Sequence, residues 1–225
     1  MTSLPNCRVE PIESSPFAQV AYLMWREDTS LALIIDPGFD TRTILERLDQ
    51  YGLRLAAILN THGHGDHIAG NRAMKEAFPD APLLIGRNEA ALLRDPEANM
   101  SAAFGLPFTS PDADRLVSDG ERIEIAGFEF LVREIPGHSP GSVVFIFDKY
   151  EPPFVFGGDV LFAGSIGRTD LGGSLEQLVQ GIRTKLFTLP DATSIFPGHG
   201  PATTVGVEKQ SNPFVGLAAG LLHPH

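Results

Sequence analysis

The chain has 225 residues, of which 43% are hydrophobic, and a formal net charge of −11. This length and apolar content predict a globular protein that buries a sizeable core, and they exclude an intrinsically disordered chain. The acidic balance disfavours nucleic acid as a partner, because phosphate binding needs clustered Lys and Arg side chains.

The single cysteine, Cys7, excludes an intrachain disulfide and a thiolate cluster that could hold a metal ion. Met1 to Pro11 lacks the apolar run of a signal peptide. The longest apolar stretches, such as Leu31 to Ile35, are far shorter than the roughly 20 residues that cross a bilayer. We therefore expect a cytoplasmic protein with no membrane partner. The sequence leaves the oligomeric state open.

Strands and helices alternate along the first half of the chain. The hydrophobic pattern predicts strands over 17–25, 31–35, 55–59 and 82–85, and helices over 41–51, 68–78 and 88–94. The segment 95–119 is irregular and contains several prolines. A loop of that length indicates function or mobility, and we favour a substrate-shaping loop over a packed excursion.

The second half contains more predicted strands than helices. Strands are predicted over 122–125, 128–135, 143–147 and 154–156. Ser174 and Gln177 have the spacing of a helix capping box, and apolar residues continue that helix to Leu186. The mixture indicates sheets covered by helices, with antiparallel hairpins in each half.

The densest chemical motif lies between the predicted strand 55–59 and the helix that follows it. Four side chains that can bind a metal lie within six residues, with a glycine on each side of His64: His62, His64, Asp66 and His67. In an extended turn His62 and His64 point the same way, because side chains alternate. Asp66 stands where a helix N-cap is expected, so that it could bind a metal while anchoring the helix.

Three later segments share one pattern, in which a metal-binding side chain follows an apolar strand and a glycine. The three side chains are His138, Asp159 and His199. Each pattern alone is typical of an ordinary turn, but three of them beside the four-residue motif indicate one cleft. The other two histidines, His223 and His225, lie in the terminal tail and are interpreted as incidental.

The order and spacing of these seven residues resemble the metallo-β-lactamase superfamily, and within it glyoxalase II and its shorter bacterial relatives. The resemblance extends from Asp36-Pro37-Gly38 to Lys209 and includes Gly167-Arg168-Thr169-Asp170, and Asn212-Pro213-Phe214 just beyond it is a further match. It implies a mixed α/β fold, a four-layer αββα sandwich formed by a single domain over 1–225. It also implies that His62, His64 and His138 hold one metal ion, that Asp66, His67 and His199 hold a second, and that Asp159 bridges both.

The resemblance implies a hydrolase that attacks an acyl bond with a hydroxide held between two ions. Zinc is the expected metal because hydrolysis needs no redox change, although imidazole and carboxylate also suit iron and manganese. Asp66 is the expected catalytic residue among the ligands. Asp36, Thr61 and Ser139 are candidates for orienting the ligands, with turn capping as the alternative for each.

The expected substrate is a small acyl-thiol compound derived from glutathione, such as S-lactoylglutathione. Arg168 and Lys209 lie in segments that resemble substrate-binding stretches, and one or both are predicted to hold a substrate carboxylate. Two features depart from glyoxalase II. Its C-terminal helical region is missing, and Asp170 stands where that enzyme has an aromatic glutathione contact.

Several other activities are compatible with parts of the pattern. The main alternative is a persulfide dioxygenase with one iron ion, which also carries a Gly-Arg-Thr-Asp segment. A β-lactamase is disfavoured by the absence of a signal peptide, and a nuclease by the net charge. Flavodiiron-type reductases usually have Glu in place of His64. A non-catalytic binding module is expected to have lost ligands, and this chain has all seven.

Overall fold

Seven strands form the first sheet in the computed structural model, which describes residues 2–4, 6–217 and 219. The strands lie in the order of the chain: β1 (Thr2–Leu4), β2 (Cys7–Ser14), β3 (Gln19–Arg26), β4 (Leu31–Ile35), β5 (Arg54–Asn60), β6 (Leu83–Gly86) and β7 (Arg115–Val117). Strands β1 to β4 pair antiparallel, whereas β4 to β7 pair parallel. His223 and His225 lie outside the described residues.

The second sheet has six strands, in the order β15-β14-β11-β10-β9-β8. Their bounds are β8 (Arg122–Ile125), β9 (Phe128–Glu134), β10 (Val143–Phe147), β11 (Phe154–Gly158), β14 (Ser194–Pro197) and β15 (Thr203–Thr204). A small hairpin, β12 (Leu161–Phe162) and β13 (Ser165–Ile166), follows β11 in the chain and precedes β14.

Helices cover the outer face of each sheet. They are α1 (Thr41–Gln50), α2 (Gly65–Ile68), α3 (Asn71–Ala77), a 3-10 helix (Arg87–Arg94), α4 (Leu175–Gly181), continued by a π-helical turn (Ile182–Leu186), and α5 (Val205–Ser211). None of the described helices is long and apolar enough to cross a membrane.

Both faces of each sheet are buried. On the second sheet Phe128, Phe130 and Phe145 point into a core shared with the first sheet, while their neighbours Val144 and Ile146 pack with residues of α4. Side chains that alternate along a strand point to opposite faces, so that these strands contact two separate cores. A third core lies between the outer face of the first sheet and α1 and α3. The layers are therefore helix, sheet, sheet and helix, which confirms the expected αββα sandwich.

The structure corrects three details of the expected elements. The helix predicted over 68–78 is broken at Gly70, where a Cβ atom would lie 2.7 Å from the carbonyl oxygen of Pro37. The irregular segment 95–119 ends in β7, which extends the first sheet. The N-cap before α2 is His64, and Asp66 lies in the first turn of that helix instead. The sequence patterns also missed β2, the hairpin β12–β13 and α5.

Candidate metal centre

The seven predicted ligands lie at one edge of the sandwich. His62 and His64 follow β5, and Asp66 and His67 lie in α2 directly after them. His138, Asp159 and His199 follow β9, β11 and β14, respectively. Strands β9 and β11 both pair antiparallel with β10, and β14 is parallel to β11, so that all three end at the same edge. The topology thus gathers residues from four distant segments.

Three histidines form the first group. Nδ1 of His64 lies 3.1 Å from Nε2 of His62 and 3.0 Å from Nε2 of His138. Nitrogen ligands at about 2.0–2.1 Å from a tetrahedral zinc ion lie about 3.3 Å from one another. The spacing of the three nitrogens therefore fits a single first-row metal ion.

Asp66, His67 and His199 form the second group, whose ligand atoms lie within 4.8 Å of one another. Nε2 of His199 lies 3.2 Å from Oδ2 of Asp66, and Nε2 of His67 lies 3.8 Å from the same oxygen. The set combines nitrogen and oxygen, so that it suits zinc, iron and manganese.

Asp159 lies between the two groups. Its Oδ1 is 3.3 Å from Nε2 of His67, and its Oδ2 is 3.5 Å from Nε2 of His138. Oδ2 is also 3.6 Å from Nε2 of His199. One carboxylate thus faces both groups, in the position that the sequence resemblance gives to a bridging ligand.

Asp36 forms hydrogen bonds with His67 and with Thr61, the residue before His62. Its Oδ1 accepts the backbone N–H of Thr61 at 2.7 Å, and its Oδ2 accepts the Thr61 hydroxyl at 2.6 Å and Nδ1 of His67 at 3.0 Å. Oγ1 of Thr61 lies 3.1 Å from Nδ1 of His62. Although Asp36 lies close enough to His62 and His67 to form a third metal-binding set, it is on the Nδ1 side of both rings. We therefore assign it to orienting the ligands.

Hydrogen bonds also fix the tautomers of two further ligand histidines, His138 and His199. Nδ1 of His138 donates to the carbonyl of Arg168 at 2.9 Å, and Nδ1 of His199 donates to the carbonyl of Phe17 at 3.2 Å. A carbonyl oxygen only accepts, so that Nδ1 carries the hydrogen and the Nε2 lone pair faces the centre.

The charges of the centre favour a cation. Burial lowers the pKa of His62 well below its usual range, and burial with the neighbouring His138 lowers the pKa of His64 to about 4. Both rings are therefore neutral and ready to bind a metal at neutral pH. Burial opposes a charge on His67, but the carboxylates of Asp159 and Asp66 raise its pKa well above the usual range.

The fit to a metal ion also rests on two buried atoms. Nε2 of His67 and Oδ1 of Asp159 lie 3.3 Å apart, but neither forms a hydrogen bond of regular geometry with any described residue. A buried polar atom without a partner is costly, and metal coordination would satisfy both. The donor set, its spacing and its charge therefore fit divalent metal ions.

Glu89 lies behind the first group and had no signal in the sequence. It is fully buried in the 3-10 helix. Its Oε2 accepts the N–H of Gly63 at 2.8 Å, and its Oε1 accepts the Ser139 hydroxyl at 2.8 Å and the N–H of Gly141 at 2.5 Å. One carboxylate therefore joins the His62–His64 turn to the loop after His138. Ser139, a candidate for orienting the ligands, is thus hydrogen-bonded to Glu89 and helps to hold the loop after His138.

A glycine is required directly before His199. A Cβ atom on Gly198 would overlap Oδ1 of Asp159 and would lie 2.5 Å from Cε1 of His67. The close approach lets β14 deliver His199 beside two other ligands.

The two predicted substrate residues lie in different places. The carbonyl of Arg168 contacts His138, and its exposed guanidinium pairs with Asp170 at 2.7 Å. Lys209 lies on α5, where its ammonium contacts Asp191 at 2.7 Å and the carbonyl of Leu189. Both partners of Lys209 precede β14, whereas His199 follows it. The backbone of Arg168 therefore contacts a residue of the metal centre, whereas the contacts of Lys209 lie before the opposite end of β14.

Two facing sheets with a His and Asp centre at one edge define a metal-binding αββα protein. The sequence profile described as the metallo-beta-lactamase superfamily matches residues 15–199. The chain is 40% identical over 213 residues to a hydroxyacylglutathione hydrolase, GloC, of Haemophilus influenzae, covering 92% of this chain and 97% of the relative.

Two solved structures are also similar. A protein described as BLEG-1 B3 metallo-beta-lactamase is 39% identical, with a TM-score of 0.87 over 92% of this chain and 99% of that one. TTHA1623 in a di-iron-bound form is 36% identical, with a TM-score of 0.81 over 92% and 100% of the two chains. This chain belongs to the metallo-beta-lactamase superfamily, and it is a metallo-hydrolase of that superfamily.

Proposed function

We propose that this chain is a hydrolase of acyl thioesters that uses two metal ions, with S-lactoylglutathione as a representative substrate. The observation that carries the proposal is the pair of ligand groups that share Asp159. The first group, His62, His64 and His138, and the second group, Asp66, His67 and His199, each offer a complete set of three side chains.

Divalent ions held by these residues would lower the pKa of water to around 7 and polarise a carbonyl group, and so would supply a nucleophile and an electrophile together. The protein's own residues provide the geometry. Hydrogen bonds to Nδ1 turn Nε2 of His67, His138 and His199 towards the centre. Neighbouring His67 and His199 outweigh the effect of burial and lower the pKa of Asp66, which stays ionised at neutral pH. We propose Asp66 as the catalytic carboxylate, because it can both hold a cation and orient the attacking water.

The thioester class rests on two supports. The similarity to GloC covers nearly the whole of both chains, and Arg168 lies beside the first group with an exposed guanidinium. A guanidinium pairs with a carboxylate in a planar, two-point arrangement, and glutathione carries two carboxylates. We propose that Arg168 exchanges Asp170 for a substrate carboxylate.

A persulfide dioxygenase with one iron ion remains the second candidate. The donor set suits iron, and a similar structure is described in a di-iron-bound form. The second ligand group is nevertheless complete, which favours a centre with two ions. Metal content per chain therefore separates the two candidates.

The test combines metal analysis with an assay of thiol release. Two metal equivalents per chain and hydrolysis of S-lactoylglutathione that a chelator abolishes are expected. One iron per chain with oxygen consumption on glutathione persulfide would overturn the proposal, and so would metal-loaded protein that cleaves no thioester.

Arg168 is tested by Arg168→Ala, which should raise KM for S-lactoylglutathione about tenfold with little change in kcat, because a charge-assisted pair is lost. Arg94→Ala is the matched control, since Arg94 forms the same kind of exposed pair with Asp112. Equal KM values for both variants would remove Arg168 from the proposed site.

A further inference from the structure

An exposed apolar surface lies next to the second ligand group. Phe104 is 48% exposed and Leu106 is 50% exposed. The Phe104 ring packs on Phe17, with ring centroids 4.6 Å apart. Phe17, Phe104 and Leu106 are here called the apolar rim.

Two backbone contacts place the apolar rim beside the metal centre. The carbonyl of Phe17 accepts the hydrogen of Nδ1 of His199 at 3.2 Å. The segment that carries Phe104 is joined to the ligand turn, because the N–H of Gly65 donates to the carbonyl of Asn99 at 2.7 Å. The rim therefore adjoins the side of the centre that holds Asp66 and His199.

Hydrogen bonds of buried polar residues fix the segment that carries Phe104 and Leu106. Asn99 and Ser101 are buried. Nδ2 of Asn99 donates to the carbonyl of Phe108 at 3.1 Å, and the N–H of Phe108 donates to Oγ of Ser101 at 3.1 Å. The ring of Phe108 also contacts Phe39 edge to face, at 6.0 Å. The segment is thus anchored through its own polar network, which leaves the apolar side chains of the rim turned to solvent.

The side of the centre that holds His138 carries an exposed ion pair, besides the exposed side chains of Leu171 and Leu175. The carbonyl of Arg168 holds His138 of the first group, and its side chain forms an exposed ion pair with Asp170. A thioester whose carbonyl lies at the two groups has two arms, the acyl group and the thiol. The ion pair on one side and the apolar rim on the other distinguish these arms by their polarity.

We propose that the apolar rim binds the acyl arm of the substrate, and that the chain prefers acyl groups longer and more apolar than lactoyl. The carboxylate-bearing thiol arm then extends towards Arg168. This inference rests on the proposed thioester hydrolysis. Burial of an apolar methylene favours binding by a factor of about four when it is complete, and a rim that is half exposed should provide about twofold per methylene.

The experiment measures kcat/KM for a series of S-acylglutathiones from acetyl to octanoyl, with S-lactoylglutathione as the reference. For the native chain kcat/KM should rise about twofold per methylene over the first few carbons, mainly through KM. Phe104→Ser should flatten this slope. Leu31→Ser is the matched control, because Leu31 is 38% exposed at the start of β4, the end of that strand opposite to Asp36, and it should keep the native slope.

Binding is measured separately with S-alkylglutathione thioethers, which cannot be hydrolysed. Their inhibition constants should follow the same slope in the native chain and lose it in Phe104→Ser. A flat series in the native chain, or equal slopes in Phe104→Ser and Leu31→Ser, would overturn the rim proposal while leaving thioester hydrolysis intact. An unchanged slope with altered self-association of Phe104→Ser would instead assign the rim to a protein interface. If the metal-loaded chain cleaved no thioester at all, the proposed function itself would fail.

Discussion

The carboxylate of Asp36 accepts a hydrogen bond from Nδ1 of His67 at 3.0 Å, and both side chains are almost completely buried. The same oxygen accepts the hydroxyl of Thr61, which in turn contacts His62. One carboxylate therefore orients a ligand in each of the two groups, and the two proposed ions depend on a single residue that contacts neither.

Asp36→Asn should weaken binding of both metal equivalents. An amide cannot accept from the Thr61 hydroxyl, the Thr61 N–H and His67 together, and loss of such a partner typically costs 10- to 100-fold in metal affinity. Asp36 has a positive φ of 48°, which Asn also tolerates, so that the backbone should not change. Metal affinity is measured by competition with a coloured chelator.

The control for Asp36→Asn is Asp40→Asn. Asp40 caps α1 by accepting the N–H of Thr43 at 3.2 Å, and Asn is an equally good cap. This variant should bind metal as the native chain does. Native metal affinity in Asp36→Asn would contradict the role given to Asp36.

Glu89→Gln should weaken metal binding by the first group and leave binding by the second group unchanged. The Gln amide would direct an NH2 group at one of the donors from Gly63, Ser139 or Gly141, and an unpaired buried donor costs about 1–3 kcal/mol of stability. We expect metal titration to show one equivalent weakened about tenfold. Glu124→Gln, at an exposed position of β8, should leave both equivalents unchanged. Equal weakening of both equivalents in Glu89→Gln would show that Glu89 does not act on one group alone.

Gly198→Ala should lose metal binding and lower stability. The added methyl group would overlap Asp159 and His67, and overpacking of this kind costs about 1–3 kcal/mol. Thermal unfolding and metal analysis are the two measurements. Gly157→Ala is the control, because its nearest contact would be an ordinary one, 3.4 Å from Cγ2 of Ile195. A Gly198→Ala protein with full metal content would contradict this prediction, because Asp159 and His67 would then have shifted to admit the methyl group without loss of metal binding.

The thiol of Cys7 should not react with aromatic disulfide reagents in the native protein. It is fully buried, and burial raises its pKa to about 12, so that almost no thiolate is present at neutral pH. One thiol per chain should appear only after denaturation. Rapid labelling of native protein would contradict this placement and would also disturb thiol-release assays.

The clustering of the seven predicted ligands could be predicted because the sequence carries them as local patterns. His62 to His67 lie in one short run, and His138, Asp159 and His199 each follow a strand and a glycine. Glu89 was not predictable, since its partners Gly63, Ser139 and Gly141 are 26 to 52 residues away and only the fold assembles them. Main-chain acceptors such as the carbonyl of Phe17 leave no trace in side-chain patterns.

The elements that the sequence placed differently from the structure also depend on contacts between distant segments. Gly70 ends a helix because the chain at Pro37 approaches it closely, a contact that no local pattern reveals. Strand β7 has three residues in a proline-rich segment and is defined by pairing with β6. Lys209 was associated with the substrate through a sequence motif, but α5 turns its ammonium towards Asp191.

The contact between Phe17 and His199 joins residues 182 positions apart. Chains are synthesised from the N-terminus, so that the β2–β3 hairpin leaves the ribosome long before the last ligand exists. The first group and Asp159 can assemble once residue 159 has emerged, but the second group must wait for β14. Metal loading of the growing chain is therefore expected to be sequential, with the ion of the first group bound before that of the second.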